Sequence, residues 1–252
     1  MMTDSTSSER LSRVTRLLGS AATEALQNAR VIIFGIGGVG SWTAECLARS
    51  GVGTLTIVDA DVVAESNINR QLVATVSAIG RPKTEVLAER LLDINPDLNL
   101  TCRPERYTAE TAPTFRLEDY DIAVDAIDSL ADKASLIVHA TSLPGVTLIS
   151  SMGAALKSDP TRIAVAEFWK VKGCPLAAAL RRRFKKSGIM PRRKFKCVYS
   201  DELLPNRGDN TGSRGTMTFG KVAVNGALCH ITAIFGFTLA GLAVEKLIQE
   251  HR

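Results

Sequence analysis

The chain has 252 residues, 45% hydrophobic and 23% charged, with a net charge of +5 and five cysteines. That length can bury a sizeable core without disulfide staples, and the composition excludes a disordered or fibrous chain. The cationic excess points to a polyanionic partner. Five scattered cysteines with no C-x-x-C pair argue against structural zinc and for a reducing compartment.

The start, MMTDSTSSER, lacks the apolar stretch of a secretory signal, and residues 1–9 read as disordered. Arg10–Asn28 reads as one or two short helices, with Leu11, Val14, Leu17 and Leu18 apolar on a basic background. Val31–Phe34 is an apolar run ending in Gly35-Ile36-Gly37-Gly38-Val39-Gly40. A helical pattern follows over Ser41–Arg49, and a second apolar run, Leu55–Val58, ends in Asp59. Ala60–Gly80 is a polar loop with short helical pieces. Pro82 belongs in the first turn of a helix running to about Ile94, which Asn95-Pro96 stops. Leu98–Cys102, Ile122–Ala126 and Val146–Ser150 read as strands, and Leu130–Thr141 as a helix. This alternation predicts an α/β fold: a Rossmann-like, mostly parallel sheet with helices on both faces and a C-terminal extension of the sheet.

Beyond Gly153 the pattern changes. Ile163–Phe168 reads as a strand, Leu176–Lys186 as a basic helix and Leu204–Gly220 as a mobile loop. Val224–Val244 is apolar and long enough to span a bilayer, which leaves a buried or interfacial element and membrane contact both open. The expected organisation is one domain over 1–252, with a nucleotide-binding core at 10–151 and a basic insert and C-terminal substrate and dimer region at 152–252.

Strand, glycine turn, helix and acid-ended strand make a nucleotide site. One glycine lets the chain turn, one lets phosphates approach the backbone and one lets helix and strand pack closely. The helix N-terminus favours an anion, and Asp59 can accept from a ribose. Alone, G-x-G-x-x-G defaults to NAD. The polar loop residues Asp61, Asn67, Asn69, Arg70 and Gln71, with Lys83 and Asp128, have no task in hydride transfer, where the cofactor does the chemistry. They suit ATP-dependent activation of a carboxylate. Arg70 and Lys83 would neutralise the triphosphate, and Asp128 would hold Mg²⁺ or its waters.

At GIGGVGSW (Gly35–Trp42), VDADVVAESNINRQ (Val58–Gln71), GRPKTE (Gly80–Glu85) and DAIDS (Asp125–Ser129), the sequence resembles the ubiquitin-activating-enzyme-like adenylating superfamily. The resemblance covers about Arg10 to Ser151 and implies ATP and Mg²⁺. The glycines Gly35, Gly37, Gly38 and Gly40 and the acids Asp59 and Asp61 would lie with the nucleotide, Asp59 on the ribose. Asn67, Arg70 and Lys83 would touch phosphates, and Asp128 would lie by the metal. Arg10-Leu11-Ser12-Arg13 resembles an N-terminal arginine motif that enters the partner subunit's ATP site, which implies a homodimer with Arg13, or else Arg16, acting in trans. The roles of Asp61 and Asn69 stay open.

Within that superfamily the chain resembles the branch of tRNA threonylcarbamoyladenosine dehydratases. The carrying features are Arg10, Arg16, Leu17 and Gly19, the absent zinc pairs and the glycine-aromatic Ala233–Phe237. A basic insert adds Arg181, Arg182, Arg183, Lys185, Lys186, Arg192 and Arg193, interleaved with Phe184 and Phe195. Such cations suit a tRNA backbone, and the aromatics could stack on an unpaired base; the alternative is a solvated basic helix with Phe184 in the core. The implied reaction is ATP-dependent loss of water from the modified base in cytoplasmic tRNA, with membrane association through 224–244 and a sulfur or redox partner left open. Cys197 is weighed as a catalytic thiol against a packing role. The alternatives are adenylation of the C-terminal glycine of a ubiquitin-like or sulfur-carrier protein, an NAD-dependent oxidoreductase, and a scaffold that binds nucleotide without catalysis.

Overall fold

The computed structural model describes residues 9–208 and 225–251. The apolar runs become the parallel strands β1 (Arg30–Phe34), β2 (Thr54–Val58), β4 (Ile122–Asp125) and β5 (Thr147–Ser151), joined by the more polar β3 (Asn99–Arg103). Two further strands, β6 (Ile163–Glu167) and β7 (Lys196–Ser200), extend the same sheet. The order is β3-β2-β1-β4-β5-β7-β6, parallel throughout except for β6, which runs antiparallel to β7 at one edge. Val31, Ile32, Ile33 and Phe34 are all fully buried. A central parallel strand is covered on both faces, so it reads as a continuous apolar run rather than an alternating one.

The helices are α1 (Ser12–Leu18), α2 (Ser20–Asn28), α3 (Gly40–Arg49), α4 (Lys83–Ile94), α5 (Leu130–Ser142), α6 (Pro175–Ser187) and α7 (Cys229–Leu247). On one face, Leu26, Leu47, Leu87, Leu91, Ile231, Phe235 and Leu239 from α2, α3, α4 and α7 pack on alternate strand residues. On the other, Leu136 and Ile137 of α5 and Leu180 and Phe184 of α6 pack with Phe34, Phe115, Phe168 and Phe195.

Most elements lie within a residue or two of the expected bounds. Pro82 precedes α4 rather than lying in its first turn, so Lys83 opens the helix. The strand β7 was not anticipated. Lys196-Cys197-Val198-Tyr199-Ser200 is short and follows a cationic run, and only its neighbours β5 and β6 make it a strand.

The ambiguity of the apolar C-terminal run resolves toward a core element. Among the described residues α7 is the single helix long and apolar enough to cross a membrane, yet Ile231, Thr232, Ala233, Phe235, Gly236, Leu239, Ala240 and Ala243 are buried. Gly236 makes this packing possible, because a Cβ there would meet Val39 O at 2.6 Å and Trp42 Cβ at 2.7 Å. Thr43 Oγ1 donates to Gly236 O at 3.1 Å, and Phe237 meets Trp42 edge to face at 5.7 Å. Of the expected disordered and mobile stretches, residues 1–8 and 209–220 lie outside the described residues.

Candidate active site

The chain passes from β1 outward to β2 and β3, then crosses to β4 on the other side of β1. The carboxyl ends of β1 and β4 therefore flank a topological switch point, where ligands of open α/β sheets bind. The glycine turn leaves β1 there. Gly35 has φ +83°, and a Cβ on it would lie 2.9 Å from Ala126 O, in the loop after β4. A Cβ on Gly40 would lie 1.8 Å from Gly35 O. Both positions exclude side chains, so the turn packs closely on itself and on the loop after β4 just before the α3 N-terminus. Gly37 faces the Gln71 amide and Gly38 packs against Thr232 and Arg70.

Asp59 ends β2 beside this turn. Its Oδ2 accepts from Ile36 N–H at 2.9 Å and its Oδ1 from Asp61 N–H at 2.9 Å. Burial raises the Asp59 carboxyl pKa, against the opposing charge of Lys83 and these backbone donors. Lys83 is itself buried, with Nζ 2.8 Å from Asp61 Oδ2 and 3.8 Å from Asp59 Oδ1. Asp61 thus shares the ammonium with Asp59 and leaves half of its own side chain in solvent.

The 60–80 loop folds so that Arg70 and Gln71 come back to the turn. Asn67 Oδ1 accepts from Ala64 N–H at 3.2 Å, and Asn67 O accepts from Arg70 N–H and Gln71 N–H. Arg70 Nη1 donates to Ser66 O at 2.9 Å and to Asn69 Oδ1 at 3.0 Å. Burial lowers the Arg70 pKa, while the charge of Asp128 pulls it back up. Asp128, distant in sequence, is thus brought close enough to the switch point for its charge to act on Arg70. The buried Gln71 carries an Oε1 with no hydrogen-bond partner among the described residues. A nucleotide would meet a steric cradle and the two cations Arg70 and Lys83, which fit a triphosphate better than a nicotinamide; the Gln71 Oε1 is an acceptor and adds nothing for phosphate.

A pair that sequence reasoning missed holds the β4 loop. Lys133 Nζ lies 2.8 Å from Asp125 Oδ2, with both side chains fully buried. The same ammonium donates to Ile127 O at 3.0 Å, and Asp125 Oδ1 accepts from Ile127 N–H at 3.1 Å. Ser150 Oγ donates to Asp125 Oδ2 at 2.7 Å. Both polar atoms of the Ile127 peptide are gripped, and Asp128 is the next residue. The available signal was a lysine on the apolar face of α5, three and four residues before Leu136 and Ile137.

Not every expected site residue joins this cluster. Arg13 and Arg16 lie exposed on α1. That helix is anchored at the amino edge of the sheet, where Arg10 pairs with Asp97 and Leu11 packs on Gly51. Of the basic insert, Arg182, Arg183, Lys185, Lys186 and Arg192 are exposed. Arg193 is exposed as well, but it and Arg181 are committed to the fold by hydrogen bonds. Arg181 Nη1 donates to Phe168 O at 3.1 Å and Val171 O at 3.0 Å. Arg193 donates to the carbonyls of Ala140, Thr141, Leu143, Pro144 and Val146, closing the C-terminal end of α5. Phe184 and Phe195 pack around Phe168 in the core, so neither is a stacking surface. Cys197 is fully buried. Burial pushes its thiol pKa up despite the charge of Lys133, the opposite of what a nucleophile needs. Among the described residues no group of three or more His, Cys, Asp or Glu could hold a metal ion.

The profile of the ThiF family matches residues 10–251. The chain is 35% identical over 254 residues to the tRNA threonylcarbamoyladenosine dehydratase of Escherichia coli K12, covering 96% of this chain and 94% of that protein. A Bacillus subtilis protein of the same name is 40% identical over 185 residues, covering 73% of this chain and 72% of its own. The solved structure of E. coli tRNA N6-threonylcarbamoyladenosine dehydratase in complex with ATP matches with a TM-score of 0.86 at 33% identity, covering 100% of this chain and 98% of that one.

Proposed function

The chain belongs to the ThiF family, and we propose that it catalyses the ATP-dependent dehydration of threonylcarbamoyladenosine in tRNA. One observation carries this reading: a glycine turn with no room for side chains at Gly35 and Gly40 lies against Arg70 and beside Asp59 and the buried Lys83. The likeness to dehydratases along nearly the whole chain supports it.

The substrate's threonine carboxylate is a poor electrophile because its leaving group would be oxide. A carboxylate oxygen attacks the α-phosphorus of ATP, the bond to the β-phosphate breaks, and pyrophosphate leaves. The neighbouring carbamoyl group then attacks the activated carbonyl, closes a ring and expels AMP, so the base loses one water. Ring closure within one molecule needs positioning more than a nucleophile from the protein, which agrees with the buried Cys197. Asp59 receives the ribose hydroxyls, and Asn67, Arg70 and Lys83 take the phosphates. Mg²⁺ would sit on the triphosphate with Asp128 as its protein carboxylate, and would supply positive charge against the leaving pyrophosphate.

Arg182, Arg183, Lys185, Lys186 and Arg192 form the tRNA-backbone surface. Because α1 is anchored at the amino edge, away from its own glycine turn, Arg13 serves a second copy, and the active form is a homodimer. One unit spans the nucleotide core and the C-terminal half, and it acts in the cytoplasm.

The test is mass spectrometry of nucleosides from threonylcarbamoylated tRNA after incubation with the protein and ATP–Mg²⁺. The expected product is lighter by one water and is lost in Arg70→Ala and Asp128→Ala. Unchanged nucleoside from a protein that binds ATP would instead favour adenylation of a carrier protein.

A further inference from the structure

Arg70 is held from two directions, and its neighbour Asn69 connects them. Asn69 Oδ1 accepts from Arg70 Nη1 at 3.0 Å, while Asn69 Nδ2 donates to Ala227 O at 2.8 Å, in the segment leading into α7. The second Nη1 hydrogen goes to Ser66 O. The Arg70 carbonyl accepts from Trp42 Nε1 and from Thr232 Oγ1 of α7, each at 3.3 Å. With both Nη1 hydrogens engaged, the plane of the guanidinium is set before any ligand arrives. A planar fork recognises phosphate only in a restricted orientation. A group that holds that plane removes rotamer freedom that binding would otherwise have to remove.

We propose that Asn69 is a positioning residue for nucleotide binding, tied to the C-terminal segment through Ala227 and acting through Arg70; this rests on the reading that Arg70 meets the triphosphate. Asn69 is exposed, so its truncation leaves the core untouched. The test is the dissociation constant for Mg–ATP, by calorimetric titration, in four proteins: wild type, N69A, R70A and N69A/R70A. N69A should weaken binding about tenfold. R70A should weaken it further, and the double variant should match R70A within about twofold, because Asn69 has nothing left to orient. A loss of the same factor in both backgrounds would mean that Asn69 acts independently of Arg70, and the proposal fails. N69A binding as wild type while R70A is impaired removes the proposal alone. R70A binding as wild type removes the assignment of Arg70 and the proposal with it.

Discussion

Replacing Lys133 by Met tests what holds the loop that carries Asp128. The ammonium makes two contacts, 2.8 Å to Asp125 Oδ2 and 3.0 Å to Ile127 O, and neither it nor its partner reaches solvent. Methionine fills much of the same volume but leaves a buried carboxylate with only Ser150 Oγ and Ile127 N–H. Breaking a buried pair from one side costs about 3–5 kcal/mol. For a chain of this size each kcal/mol moves the midpoint by about 2–4 °C, so Tm should fall by about 6–20 °C. The double variant D125N/K133M removes both charges and keeps a partner for Ser150, so it should lose less than K133M alone. Thermal and urea unfolding followed by circular dichroism measure both. A K133M loss under about 1 kcal/mol, or a D125N/K133M loss equal to the sum of the two single losses, would refute the claim that the pair is coupled and buried.

Gly40→Ala should abolish stable folding or nucleotide binding, because its Cβ would sit 1.8 Å from Gly35 O, whereas Gly37→Ala, 3.6 Å from the Gln71 amide, should keep the fold; melting curves separate them. Glu45 joins α3 to α4 by accepting from Arg49 and Arg90 at 2.9 and 2.5 Å. Burial raises its pKa, but the hydrogen bonds from Arg90 and Arg49 outweigh burial, so the net shift is downward from 4.5. Its stabilisation is full above the unfolded value and lost as pH falls through the lower folded value. E45Q should therefore cost about 1–3 kcal/mol at neutral pH, and urea titrations should show the gap closing in acid. Wild type should gain about 2.7 kcal/mol of stability at ATP–Mg²⁺ concentrations one hundred times Kd; in K83M a thermal shift assay should show most of that gain gone, and an undiminished shift would contradict the assignment. Replacing Arg182, Arg183, Lys185 and Lys186 by Ala should lower tRNA affinity and flatten its salt dependence, each lost phosphate contact removing about 0.7–0.9 from the slope. R193A should instead reduce Tm and leave that slope alone.

The parts legible in the sequence are those written by local physics. Apolar runs ending in glycine or acid mark parallel strands, because their backbone hydrogen bonds repeat along the strand and their faces are both covered. Gly35 and Gly40 announce a turn because the backbone approaches itself there. Asp59, Asn67, Arg70, Lys83 and Asp128 stand out together because their order resembles that of a known family, and their roles are those proposed for the nucleotide site.

Other features depend on contacts between distant segments. The charge of Asp128 acts on Arg70 only because β4 docks on the far side of β1 from β2. In the basic insert the residue types are alike, yet Arg181 and Arg193 find carbonyls to bond while Arg182 and Arg183 do not leave solvent. Composition cannot divide them, since the division depends on which helix face meets the sheet. Cys197 reads as a candidate beside cations but lies in a strand recognisable only through its neighbours, β5 and β6. Thr232 reaches the Arg70 carbonyl across 162 residues. By itself the sequence determined the nucleotide cradle, because short-range sterics and periodicity encode it. The tertiary structure decided which charges are buried, which are bonded and which face solvent, because desolvation belongs to the packed whole and to no residue alone.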